Sequence, residues 1–197
     1  MKVEEIFSEE LRLIKNDTIR EFTKKCFEEL CPNYFWDCAA SSSGKYHPPF
    51  ALGKGGTVRH TKVAVWWGIE LSRMYGMEND QDLIVSALIM HDMKKFGDNY
   101  DGTTSSLPKD NTNVHGVSLA MEIANKMFGK EGIPQEIKYI LRGIATHMGK
   151  WTKPAEFCPE EQQDEDLKRF CMLTHTADYC ASRKVPPYVQ SIMDTKA

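Results

Sequence analysis

The chain has 197 residues, a hydrophobic fraction of 41%, a charged fraction of 27% and a formal net charge of −3. That composition fits one globular domain with a sizeable core and argues against a protein that grips long nucleic acid by charge alone. Six cysteines without a Cys-x-x-Cys pair exclude a zinc ribbon and point to reduced thiols rather than a disulfide framework.

Acidic residues stand at Glu4 and Glu5, where a secretory signal would carry its apolar core, and no apolar run approaches the roughly 20 residues that span a bilayer. A cytoplasmic protein without membrane contact is expected. Residues 4–14 alternate acids with Ile6, Phe7, Leu11, Leu13 and Ile14, a short amphipathic helix. Asn16-Asp17-Thr18 offers a cap for a second helix, in which Ile19, Phe22, Cys26, Phe27 and Leu30 recur at helical spacing up to Pro32. These N-terminal helices, within residues 1–31, are expected to pack on the remainder of a single domain.

From Pro32 to Gly56 the periodicity breaks. Ser41-Ser42-Ser43-Gly44, Pro48-Pro49 and Gly53-Lys54-Gly55-Gly56 are turn chemistry. So long a loop in a compact domain is either a surface connector or functional, and it carries Lys45, Tyr46 and His47.

A helix is expected from about Thr57 to Tyr75, with His60 in its first turns and Gly76 as its stop. The next apolar run, Leu83 to Met90, ends abruptly on His91-Asp92. A carboxylate and an imidazole at a core boundary each need a partner, which a divalent cation would supply. A polar loop through Pro108 follows. Further helices are expected from about Asn113 to Phe128, with His115 in the first turn, and from Pro134 to His147. The last long helix starts in the acidic stretch 160–166, carries His175 and Asp178 one turn apart, and ends at Pro186-Pro187. No strand pattern, repeat or dividing linker occurs, so the fold class is all-α.

His60, the pair His91-Asp92, and Asp178, in this order on separate helices, make a mixed imidazole and carboxylate set suited to Mn, Fe, Ni, Co or Zn and less to Ca. This order resembles the HD superfamily of metal-dependent phosphohydrolases, over roughly Gly55 to Arg183. The resemblance implies a helical HD bundle, with a core over 55–185 and the Gly/Pro/Ser-rich loop near the metal site. His115 and His147 are similar in placement to the extra histidines of HD-GYP phosphodiesterases and HD-type bacterial 3′-to-5′ exoribonucleases. Gly55-Gly56-Thr57-Val58-Arg59-His60-Thr61 matches the latter's Gly-Gly-x-x-x-His-Thr entry, and His175 to Asp178 their His-x-x-Asp ending. His91-Asp92-Met93-Lys94-Lys95 keeps the family's His-Asp-x-x-Lys, with Lys95 as its lysine.

What the resemblance implies is a metal held by His60, His91, Asp92 and Asp178. A second metal would be bridged by Asp92 to His115 and His147, with Mn, Fe, Ni, Co, Zn or Mg as the ions. Asp92 and Lys95 would be catalytic. Lys45, His47, Arg59 and Lys150 are candidates for phosphate contact, Tyr46 or Trp151 for stacking on a base, and His175 for a supporting role. The Gly-Tyr-Pro element of HD-GYP proteins is absent, which argues against cyclic-di-GMP, and no β-barrel accompanies the core, which argues against a processive exonuclease. A nucleotide or short oligonucleotide is the substrate expected. The alternative is a catalytically silent HD-fold module that binds a nucleotide or serves regulatory interaction.

Overall fold

A computed structural model of the chain describes residues 2–41, 44–98, 100, 102, 112–152 and 155–186, with the side chains of residues 112–115 outside that description. Among the described residues are eight α-helices and no strand. No helix among them is long and apolar enough to cross a membrane.

The N-terminal stretch forms two short helices, α1 (Lys2–Ile6) and α2 (Ser8–Leu13), where the pattern suggests one. The break falls at Phe7, which is fully buried with its ring 5.7 Å from Phe27, 6.3 Å from Phe35 and 6.1 Å from Trp36. An aromatic of this size contributes roughly 1.5–3 kcal/mol when buried, more than an unbroken two-turn helix of marginal stability can return. Helix α3 (Asp17–Lys25) begins at Asn16, whose Oδ1 accepts from the backbone N–H groups of Thr18 and Ile19 at 2.9 and 3.1 Å. Its continuation, Cys26–Leu30, loosens into π-helical turns.

Side-chain links hold this N-terminal unit to the rest. The Lys15 and Asn16 N–H groups donate to the Asp82 carboxylate at 3.0 and 2.7 Å. The Lys62 ammonium donates to both oxygens of Glu10 at 2.9 and 2.8 Å. Inside, the Thr23 and Ser86 hydroxyls meet at 2.7 Å.

Helix α4 (Gly56–Tyr75) follows the long loop and stops at Gly76, which adopts φ +66° and leaves Met77 N–H to bond Ser72 O. The loop is folded back on itself. Two short 3-10 turns, Asn33–Trp36 and Pro49–Ala51, shape it, and Ala40 N–H donates to Ala51 O. Gly55 and Thr57 N–H donate to Asp37 O and Cys38 O, so the loop's two ends close at the start of α4.

Helix α5 (Gln81–Met90) is apolar nearly all round and lies at the centre, with Ile84, Val85 and the run Ala87 to Met90 buried. It touches α4 where Gly68 faces Leu88 and Ile84. A Cβ on Gly68 would stand 2.3 Å from Leu88 Cδ1. Helix α7 (Gln135–Thr146) packs beside it, and α6 (Thr112–Phe128) packs on α7. The last, α8 (Glu165–Ala181), is capped by Asp164, whose Oδ1 accepts from Leu167 N–H at 2.7 Å. That cap starts the helix after the acidic stretch, and it ends at Ala181, before the prolines at 186 and 187.

Candidate metal centre

Helix α5 is buried from Ile84 to Met90 with Ser86 as the one polar side chain of that stretch, and His91 and Asp92 emerge where it ends. His91 sits in the αR conformation just past Met90, and its Nδ1–H donates back to Leu88 O at 2.6 Å. Helix α7 ends the same way: His147 follows Thr146, and its Nδ1–H donates to Ile144 O at 2.7 Å. Carbonyls in a last helical turn lack helical partners, and each histidine supplies one. In both, Nε2 is left facing inward. This is the arrangement in which a metal-binding imidazole is oriented by its other nitrogen.

His60, in the second turn of α4, brings its Nε2 to 3.2 Å from His91 Nε2 and 2.9 Å from Asp178 Oδ1, contributed by α8. Asp178 Oδ1 is 3.5 Å from His91 Nε2, and Asp92 Oδ2 is 3.6 Å from His91 Nε2 and 3.9 Å from His60 Nε2. His147 Nε2 stands 3.8 Å from Asp92 Oδ1. The rings of His60 and His147 flank that of His91 at 5.3 and 5.2 Å. His60, His91, Asp92 and His147 are all buried, and the Asp178 side chain is 16% exposed.

Two observations test this set against a cation. Donors about 2.1 Å from a shared ion stand about 3.0 Å apart at a right angle and about 3.4 Å apart at the tetrahedral angle. Four of the spacings around His60, His91, Asp178 and Asp92, from 2.9 to 3.6 Å, lie near those edges, and Asp92 Oδ2 to His60 Nε2 is wider at 3.9 Å. Second, His147 Nε2, which faces Asp92, is buried with no hydrogen-bond partner, an expensive condition for a group left to itself. His60, His91 and Asp92 form a buried group that could hold a metal ion. Three imidazoles with carboxylates favour a transition ion over Ca or Mg.

The electrostatics follow from burial and crowding. Burial would raise the Asp92 carboxyl, but Lys95, then His91, His147 and His60 hold it well below the usual carboxylate range. Lys95 reaches it directly, Nζ to Oδ2, at 2.6 Å. Burial likewise opposes ionisation of Asp178, and hydrogen bonds from His60 and His91 reverse it. Burial pulls His91 down, and Asp92 and Asp178 outweigh it, lifting His91 to about 8. His147 goes the other way, lowered by burial and by the neighbouring His91.

Around this cluster the other candidate residues divide. His47 lies beside it: its ring is 5.4 Å from His60, and its buried Nδ1 has no partner. Burial, then Lys95 and His60, lower it to about 4. Lys45 lies over the Tyr46 ring at 5.1 Å and Lys150 over the Trp151 ring at 5.0 Å. Arg59 is engaged elsewhere, Nε to Phe50 O at 2.6 Å and Nη2 to Leu52 O at 2.9 Å, where it clamps the loop. The His115 side chain lies outside the described residues. Its neighbour Gly116 packs against the end of α5, where an added Cβ would come within 3.4 Å of His91 O.

His175 does not enter the cluster. Its Nδ1–H donates to His147 O at 2.7 Å, and its ring lies so close over Gly149 that an added Cβ would stand 2.2 Å from it. Sequence reasoning passed over Tyr179 and Arg183. Tyr179 follows His175 by one turn of α8, so i, i+4 spacing was the available signal, and Arg183 lies just past the helix end.

Comparison of the chain with family models, with curated proteins and with solved structures finds no match.

Proposed function

We propose that the chain is a metal-dependent phosphohydrolase or phosphodiesterase of the HD type, acting on a phosphate ester or anhydride of a nucleotide or short oligonucleotide. The observation that carries this reading is the convergence of His60, His91, Asp92 and Asp178 from α4, the end of α5, and α8. Most of their spacings lie near the edges of a coordination polyhedron. The motif order quoted above supports the assignment to the HD type.

Divalent cations held there, one by His60, His91, Asp92 and Asp178 and a second by Asp92 with His147 and His115, would polarise a phosphoryl oxygen and acidify a bound water. The protein's own groups prepare for that. Leu88 O and Ile144 O fix the tautomers of His91 and His147. Lys95 helps keep Asp92 ionised, and in this reading its ammonium would also meet negative charge on a bound phosphate. His47, neutral near pH 7 with Nδ1 unpartnered, is placed to exchange a proton with substrate or water beside His60.

A screen of phosphate release and product formation, with Mn²⁺ supplied and with nucleotides, cyclic dinucleotides and short RNA as substrates, tests the proposal. Turnover abolished by Asp92→Ala supports it. A protein that binds nucleotide and turns over none of these substrates would be the silent module instead.

A further inference from the structure

We propose that the cleft between Trp151 and Tyr179 is a slot for the base of the nucleotide, so that the chain selects its substrate by a flat heterocycle as well as by phosphate. The inference rests on the phosphohydrolase reading for where the phosphate goes, and on separate geometry for the base.

Aromatic pairs inside this protein meet at a tilt, as Phe7, Phe27, Phe35 and Trp36 do, or close up when parallel, as Phe96 and Tyr100 do at 4.9 Å. Trp151 and Tyr179 do neither. Their planes are parallel to within 7° and their centroids stand 6.4 Å apart. The centroid distance is the upper bound of the gap between the planes, and two stacking steps of about 3.4 Å need about 6.8 Å, so a base enters as the exposed rings part slightly. The rings are 53% and 40% exposed and line a cleft of about 260 Å³. Drug-sized ligands take pockets of roughly 300–1,000 Å³, so this one suits a single flat ring system.

The charges around the cleft fit the same occupant. Arg183 lies 4.4 Å from the Tyr179 ring and 5.2 Å from that of Tyr46, and Lys150 lies against Trp151. These cations beside the two rings disfavour a cationic guest and favour one that carries phosphate. Glu160 also lines the cleft. Its carboxylate repels phosphate from the slot itself and can accept from a ring or amino N–H of a base.

The slot is fixed to the metal centre by backbone. Tyr179 follows Asp178 in α8, and His175, one turn earlier, donates to the carbonyl of His147 while seating the turn that carries Trp151. The cleft is thus held at a fixed distance from the residues that carry Asp178 and His147.

The test is binding to the full-length protein in EDTA, read as quenching of Trp151 fluorescence by difference from Trp151→Phe. The probes are adenosine 5′-monophosphate, cytidine 5′-monophosphate and ribose 5-phosphate. Base–aromatic stacking of the usual strength makes the two nucleotides bind about 5- to 150-fold more tightly than ribose 5-phosphate, and Tyr179→Ala removes that advantage without changing ribose 5-phosphate binding. Equal binding of all three probes, no binding, or an unaffected Tyr179→Ala overturns the slot. No turnover enters this readout, so loss of the hydrolase reading and loss of the slot are separate outcomes. Turnover with unchanged KM in Trp151→Ala would count against the slot alone.

Discussion

His91 and His147 are oriented by one device used twice. Each follows the last residue of a helix, each donates Nδ1–H to the carbonyl three residues earlier, and each turns Nε2 toward Asp92, at 3.6 and 3.8 Å. The two histidines are not equivalent, however, because only His91 also approaches His60 and Asp178. His60→Ala is therefore expected to weaken the tighter metal by more than the roughly 10- to 100-fold that loss of an outer partner costs. His147→Ala should keep that metal and lose a weaker one. Titration of Mn²⁺ into stripped protein distinguishes the two variants.

Lys95 compensates Asp92 in the absence of metal. Replacing it as Lys95→Met leaves a buried carboxylate without its closest cation, a change that costs about 3–5 kcal/mol in comparable pairs. For a chain of this length that corresponds to a melting temperature lower by on the order of 10 °C in EDTA. Mn²⁺ should restore most of the loss, since a cation on Asp92 takes over the same role. A variant equally destabilised with and without Mn²⁺ would show that Lys95 acts independently of the site.

Acidity gives a third expectation. In the metal-free protein His91 is raised from 6.5 to about 8. The folded state therefore favours the protonated ring. Its contribution to stability is complete below about pH 6.5 and is lost as pH rises through about 8. Metal must displace that proton, so Mn²⁺ affinity should strengthen over the same interval in which metal-free stability falls. Thermal melts in EDTA and Mn²⁺ titrations, each run between about pH 6 and about pH 9, check both halves.

The close approach of α4 and α5 makes a fourth. A methyl on Gly68 overlaps Leu88 Cδ1 and Ile84 Cγ2, both in the packed core. Gly68→Ala is expected to cost about 1–3 kcal/mol, read by urea unfolding, despite the higher helix propensity of alanine. A neutral or stabilising result would mean the two helices can part without loss.

Much of this was legible in the chain. An apolar run that ends on His91-Asp92 announces a buried helix delivering polar groups to a boundary, and glycine at 76 marks the end of α4. Asn16 acts as the cap its position suggests. What local pattern could not supply was the choice of distant partner. The break at Phe7 follows from an aromatic cluster drawn from residues 27, 35 and 36. Asp82 reads as an ordinary first-turn acid and instead secures the turn before α3. Arg59 reads as a phosphate contact and is bonded to loop carbonyls. The pairing of Trp151 with Tyr179, 28 positions apart, depends on how the turn after α7 lies on His175.

The central claim is that the buried histidines and aspartates form a divalent metal centre. The measurement that tests it most directly is the metal content of the purified protein, side by side with Asp92→Ala, after dialysis against metal-free buffer and again after Mn²⁺ reloading. The account expects bound transition metal in the native chain, approaching two ions after reloading, and a loss of both in the variant, since Asp92 lies between the His60–His91 pair and His147. A native chain that holds no metal under either condition, or a variant that holds as much as the native chain, would contradict it.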